Sequence, residues 1–101
     1  MRSHRSLVAW QVGMELAREC YRLTEDFPKA ERFGLTAQIR RAAVSVPANI
    51  AEGCGRSSRG ELRQFLSIAR GSLKELETLL ELATDLGFTV KDQVTAALVL
   101  A

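Results

Sequence analysis

The sequence predicts an all-α chain, folded as one antiparallel up-down-up-down four-helix bundle with a short last helix. Three observations carry that expectation. Apolar side chains recur at helical spacing along most of the 101 residues, 47% of all residues are hydrophobic, and glycine-rich breaks and Pro28 separate the periodic stretches. Residues 1–101 therefore read as a single domain, large enough for one core yet small enough for association to add stability.

Helix 1 is expected from about Ser6 to Glu25, where Leu7, Trp10, Met14, Ala17 and Tyr21, flanked by Val8, Val12, Leu16 and Leu23, make a broad apolar face. Phe27-Pro28 ends it, because a residue before proline is pushed out of the helical region. Helix 2 is expected from about Pro28 to Gly53, with a loose first turn around Phe33-Gly34. Its Leu35, Ile39, Ala42, Ala43, Val46 and Ile50 share one arc and form the core stripe. Pro47 inside this helix removes a hydrogen bond and clashes with the Ala43 carbonyl at a cost of about 3 kcal/mol, so a kink tolerated through burial is expected.

Gly53-Cys54-Gly55 stops helix 2, and Ser58 with Glu61 forms the capping box that starts helix 3. Its Leu62, Phe65, Leu66, Ala69, Leu73, Leu76, Leu80 and Ala83 continue to Leu86, before Gly87. Thr89 with Asp92 opens helix 4, which carries Val94, Ala97 and Leu98. Helix 3 would span about 43 Å and helix 4 only about 18 Å, leaving half the groove without local cover, either because a longer helix is cut short, the favoured reading, or because a partner supplies the missing apolar surface. The apolar arc on helix 3, about 200° from Leu82 through Ile68, Leu79 and Phe65 to Leu66, exceeds what one short bundle covers, and a homo-oligomer is expected.

Helix 2 carries two further faces. Gln38, Arg41, Ser45, Asn49, Glu52 and Arg56 follow one another at spacings of three or four. If this line is buried, Gln38, Asn49 and Glu52 should join Ser72 and Glu75 of helix 3 in one polar network. Ala37, Val44, Ala48, Ala51 and Gly55 make a seam of small side chains that admits close approach of another backbone, within the chain or from a second subunit.

The net charge is +2, but its distribution matters more. Residues 29–74 hold nine basic and three acidic groups, and eleven of the fourteen bases are arginine, whose planar fork suits phosphate. Along helix 3 the exposed order Arg59, Arg63, Arg70, Lys74, then Glu77, Glu81, Asp85 opposes the helix macrodipole, an arrangement against local stability that hints at function. In the expected bundle Arg2, His4, Arg5, Arg56, Arg59 and Arg63 meet at one end, while Glu25, Asp26, Glu31, Glu81, Asp85 and Asp92 gather at the other. Arg5, Arg40, Arg41, Arg56, Arg59, Arg63, Arg70 and Lys74 are the candidate contacts to nucleic-acid phosphates. A protein partner is the alternative.

Catalysis finds little support. The chain has one histidine, His4, and no phosphate loop, nucleophile motif or converging carboxylate pair. Cys20 and Cys54 lack metal-ligand spacing, and about 20 Å of helix should separate them, too far for a disulfide. The expectation is a chain without metal, cofactor or enzymatic activity. Arg2 and Arg5 before Leu7-Val8-Ala9-Trp10 mimic a signal peptide, but Gln11, Glu15, Arg18 and Glu19 interrupt the apolar stretch, and no membrane span follows. A cytoplasmic location is expected.

Three stretches carry a family resemblance: Phe27-Pro28 with Glu31-Arg32-Phe33-Gly34-Leu35; Gln38-Ile39-Arg40-Arg41-Ala42-Ala43-Val44-Ser45-Val46-Pro47-Ala48-Asn49-Ile50-Ala51-Glu52-Gly53; and Phe65-Leu66-Ser67-Ile68-Ala69-Arg70-Gly71-Ser72-Leu73-Lys74-Glu75-Leu76-Glu77. The chain resembles, over nearly its whole length, the four-helix bundle proteins encoded in intervening sequences of bacterial 23S ribosomal RNA genes. That group is related to accessory (variability determinant) proteins of diversity-generating retroelements, which bind a reverse transcriptase and its template RNA. The resemblance implies a ring-like homopentamer without known enzymatic activity and with a nucleic-acid role. Helix 4 departs from it, since relatives carry a longer last helix.

Overall fold

The computed structural model describes residues 3–92. Within them the chain forms three α-helices, α1 (Val8–Thr24), α2 (Leu35–Cys54) and α3 (Arg59–Asp85), preceded or joined by 3-10 turns at His4–Ser6 and Lys29–Glu31. Helical backbone resumes at Lys91 and Asp92. The remainder of the expected helix 4, with Val94, Ala97 and Leu98, and also Arg2, lie outside the described residues. The described fold is therefore all-helical, with three helices rather than the four expected.

Local chemistry sets the boundaries. Leu7 is extended, so α1 starts at Val8 and not Ser6. The expected start of α2 at Pro28 is corrected to Leu35. Gly34, at φ −103° and ψ −115°, breaks the helical path there, and the Glu31 carboxylate accepts the Leu35 backbone N–H at 3.1 Å. The Ser58 hydroxyl accepts the Glu61 N–H at 3.1 Å and caps α3 as expected. Gly87, at φ +79°, takes the left-handed conformation that lets the Gly87 and Phe88 N–H groups close on the last turn.

The central helix α2 packs against both α1 and α3, whose backbones stay apart. Every residue of the expected core stripe, Leu35, Ile39, Ala42, Ala43, Val46 and Ile50, is buried. They meet Leu16 and Cys20 of α1 and Ala69, Leu76, Leu79, Leu80 and Ala83 of α3. On α1 the expected broad face is corrected. Leu7, Val8 and Tyr21 are exposed, and burial is confined to Gly13, Leu16, Cys20 and Thr24. Trp10, Val12, Met14, Ala17 and Leu23 are half-buried, with Trp10, Ala17 and Leu23 packed against the core.

Pro47 lies within α2 without interrupting it and is buried. A Cβ built on Gly13 would stand 3.3 Å from the Pro47 Cβ, so α1 presents a bare backbone where the proline ring needs room. At the other end of α2, a Cβ on Gly53 would stand 3.0 Å from the Phe65 Cβ and 3.3 Å from the Leu62 carbonyl oxygen. Both glycines set how closely the helices cross. Between α1 and α3, over α2, an open apolar groove of about 570 Å³ remains, bordered by Val8, Val12, Val46, Ile50, Leu66 and Leu73. Among the described residues, no helix is long and apolar enough to cross a membrane.

Candidate nucleic-acid interface

The basic residues of the middle segment divide into separate places because α2 carries them at opposite ends. Arg40 and Arg56 are sixteen residues apart, about 24 Å along a helix. The first place is a cleft of about 580 Å³ on the α1–α2 side, lined by Arg32, Arg40 and Arg41 together with Tyr21, Thr36 and Ser45. Arg40 is held from three directions. Its Nε donates to Thr24 Oγ1 at 2.8 Å, its Nη2 reaches the Tyr21 carbonyl at 3.4 Å, and its guanidinium lies 4.5 Å from the centre of the Tyr21 ring. The buried Thr24 hydroxyl can serve as acceptor because its own proton goes to the Cys20 carbonyl, 2.8 Å away. Among the described residues none of the three arginines has a carboxylate oxygen within 4.0 Å. This cleft therefore presents uncompensated positive charge, with Arg40 already fixed in position.

The second place lies at the α2–α3 turn. Arg56 and Arg59 line a shallow cavity of about 360 Å³ with Ser3, Leu7 and Ser58, which brings the turn against the N-terminal segment that carries Arg5. Arg56 is committed to Glu52, approaches Glu61 at 3.9 Å and stacks 4.9 Å from the Phe65 ring centre. Arg5, Arg59 and Arg63 are exposed and have no carboxylate within 4.0 Å among the described residues. Arg70 borders the apolar groove, and Lys74 pairs with Glu77 at 3.5 Å. The expected electrical polarity is thus corrected in part. The turn end is basic, but the acid-bearing end also holds the arginine cleft, because Arg32 and Arg40 sit near the start of α2.

Sequence reasoning missed Arg32, which the ring of Phe33 accompanies at 4.8 Å. Its spacing of four residues from Thr36, and of eight from Arg40, was the available signal. The basic side chains of α1 differ in kind. Arg18 donates to Glu15 at 2.9 Å, and Arg22 bonds Glu19. The Arg18 hydrogen bond, with the charges of Arg18 and Arg22, holds the Glu15 carboxyl below its usual range.

The polar line on α2 splits into two parts. Ser45 and Ser72 hydroxyls lie 2.7 Å apart, and Asn49 donates to both the Ser45 hydroxyl and its carbonyl at 2.8 Å. That half-buried cluster joins α2 to α3. Glu52 belongs to a separate surface pair, with 51% of its side chain exposed. Gln38 and Glu75 are exposed and make no side-chain hydrogen bond among the described residues, so the five-residue network is corrected to Ser45, Asn49 and Ser72. The small-residue seam is largely uncovered, although Val44 borders cavities shared with Met14, Ala17 and Tyr21 of α1. Val44, Ala48 and Gly55 are exposed, while Ala37 and Ala51 are half-buried. Both cysteines are free. Burial raises the Cys20 thiol from an ordinary 9.0 to about 11.

Comparison with protein families finds that residues 5–100 match the family model described as 23S rRNA-intervening sequence protein. A search of curated proteins finds no match.

Proposed function

The chain belongs to the 23S rRNA-intervening sequence protein family, and from that premise we propose that it is a non-enzymatic scaffold, assembled from several copies, that binds RNA or DNA phosphates through its arginines. The carrying observation is the set of arginines without a carboxylate partner among the described residues: Arg32, Arg40 and Arg41 in one cleft, Arg5, Arg59 and Arg63 near the α2–α3 turn. A guanidinium left unpaired on a folded surface gains most from a multivalent anion, and a nucleic-acid backbone supplies phosphates at regular spacing. The aromatic ring against the turn-end arginines, Phe65, is half-buried and already stacked on Arg56, so recognition there is by charge.

Assembly is part of the same proposal. The exposed seam of Val44, Ala48 and Gly55 and the exposed Leu66, Ile68 and Leu82 of α3 are the surfaces a second copy would cover. The ring-like homopentamer implied by the family resemblance would repeat each arginine group and multiply weak contacts. The complete subunit is proposed to be an antiparallel four-helix bundle, with the helical backbone at Lys91 and Asp92 as the start of the fourth helix. The proposed location is cytoplasmic. Gel-shift titration with the Arg5→Glu, Arg59→Glu, Arg63→Glu triple variant tests the reading: retained fold and weakened RNA binding are expected, and binding equal to wild type contradicts it.

A second reading draws on the apolar groove over α2. Its lining by Val8, Val12, Leu66 and Leu73 supports docking of a protein partner, for which the retroelement link suggests a reverse transcriptase. Co-purification that survives the triple arginine reversal but fails after Val12→Glu would favour it.

A further inference from the structure

We propose that the arginine cleft and the cavity beside it form one site for a nucleoside monophosphate unit, with phosphate on Arg32, Arg40 and Arg41 and the base against Met14, Val44 and Pro47. This rests on the nucleic-acid reading but goes beyond charge, because it gives the chain a place for a base. The two cavities adjoin, since Tyr21 and Val44 line both. The first measures about 580 Å³ and the second about 400 Å³, sizes usual for small-molecule sites.

Their electrostatics divide the labour. The second cavity is walled by Met14, Ala17, Val44 and Pro47, and the guanidiniums at its edge, Arg18 and Arg22, are already neutralised by Glu15 and Glu19. A phosphate gains little there. In the first cavity no carboxylate of the described residues lies within 4.0 Å of an arginine, and Arg40 is fixed by Thr24 and by the Tyr21 ring, so its guanidinium is ordered before an anion arrives. A flat, largely apolar ring with polar edges suits the second wall, and Thr36 stands in the first as a hydroxyl partner for a phosphate or ribose oxygen. The ligand that fits both halves is an anion with an aromatic ring one sugar away. A bare phosphate fills only half of it.

Calorimetric titration of the full chain at low salt with adenosine 5′-monophosphate, adenosine and inorganic phosphate tests this. The monophosphate should bind saturably and at least about tenfold tighter than either fragment, because both halves engage together. Arg32→Glu with Arg41→Glu, two exposed positions, should lower that affinity about tenfold or more. Met14→Trp, which fills the apolar half from a half-buried position outside the lining of the arginine cleft, should weaken the monophosphate and leave inorganic phosphate unchanged. Equal affinity for the monophosphate and phosphate, or no effect of the variants, overturns the proposal. So does dissociation of an assembly by the arginine pair, which would show a second copy's acidic face in the cleft. If the monophosphate fails while long RNA still binds, this site is wrong and the charge reading stands; if neither binds, both fall.

Discussion

Replacing Gly53 by Ala tests how tightly α2 crosses α3. The new methyl would lie 3.0 Å from the Phe65 Cβ, 3.1 Å from Leu62 Cδ1 and 3.3 Å from the Leu62 carbonyl oxygen. Ordinary van der Waals contact begins near 3.4 Å, so the shortest approach falls 0.4 Å inside it. The Leu62 tip can rotate aside, but a Cβ and a carbonyl oxygen move only with the α3 backbone. Overpacking of this kind costs about 1–3 kcal/mol, against a gain of about 1 kcal/mol from replacing a helical glycine. The net expectation runs from neutral to about 2 kcal/mol destabilising. Gly71, in the middle of α3 with nothing within 4 Å of its Cβ position, is the control, and Gly71→Ala should stabilise by about 0.5–1 kcal/mol. Thermal unfolding at matched protein concentration should therefore separate the two variants by at least about 2 °C, with Gly53→Ala the lower. Equal midpoints, or a higher one for Gly53→Ala, would refute the close crossing.

Three further outcomes follow from the same geometry. Cys20 is protonated in the fold to about pH 11, whereas the unfolded thiol ionises near 9, so its contribution is complete below pH 9 and lost as pH rises toward 11. The loss is on the order of 2 kcal/mol, and Cys20→Ala should flatten that part of the wild-type stability profile; identical alkaline slopes would exclude it. Glu52→Ala should change stability by less than about 1 kcal/mol, because the Glu52–Arg56 pair is half exposed; a loss of several kcal/mol would mean that assembly buries it. Ala48→Phe, on the exposed seam, should leave the single-chain fold intact and lower the mass in solution toward 11.1 kDa, whereas an unchanged assembly would place the seam in solvent.

Much of this was legible in the sequence where one periodic signal acted alone. The core stripe from Leu35 to Ile50 needed only the helical repeat, and the cap at Ser58 needed only the spacing to Glu61. The start of α2 was not legible, because the seven residues before Leu35 are shaped by a side-chain cap from Glu31 and by the Gly34 backbone, neither of which has a period. Burial was misjudged where it depended on a neighbour. The apolar face of α1 and the line from Gln38 to Arg56 look equally continuous in sequence, yet only the parts facing a described helix are covered. Gly13 carries no signal in the sequence, because its value lies in Pro47, thirty-four residues away. The candidate site shows the same limit: the arginine excess was plain, but which arginines lack an acid emerged only from the packing of Arg40 onto Thr24 and Tyr21.

The central claim, that unpaired arginines bind nucleic-acid phosphates without reading sequence, is tested most directly by the salt dependence of binding to two unrelated single-stranded RNAs of equal length. The account predicts the same affinity for both and a linear fall of log K with log salt, at about −0.7 per phosphate engaged, a slope made shallower by the Arg5→Glu, Arg59→Glu, Arg63→Glu variant. No binding at low salt, or binding that differs strongly between the two RNAs and ignores salt and variant alike, would contradict it.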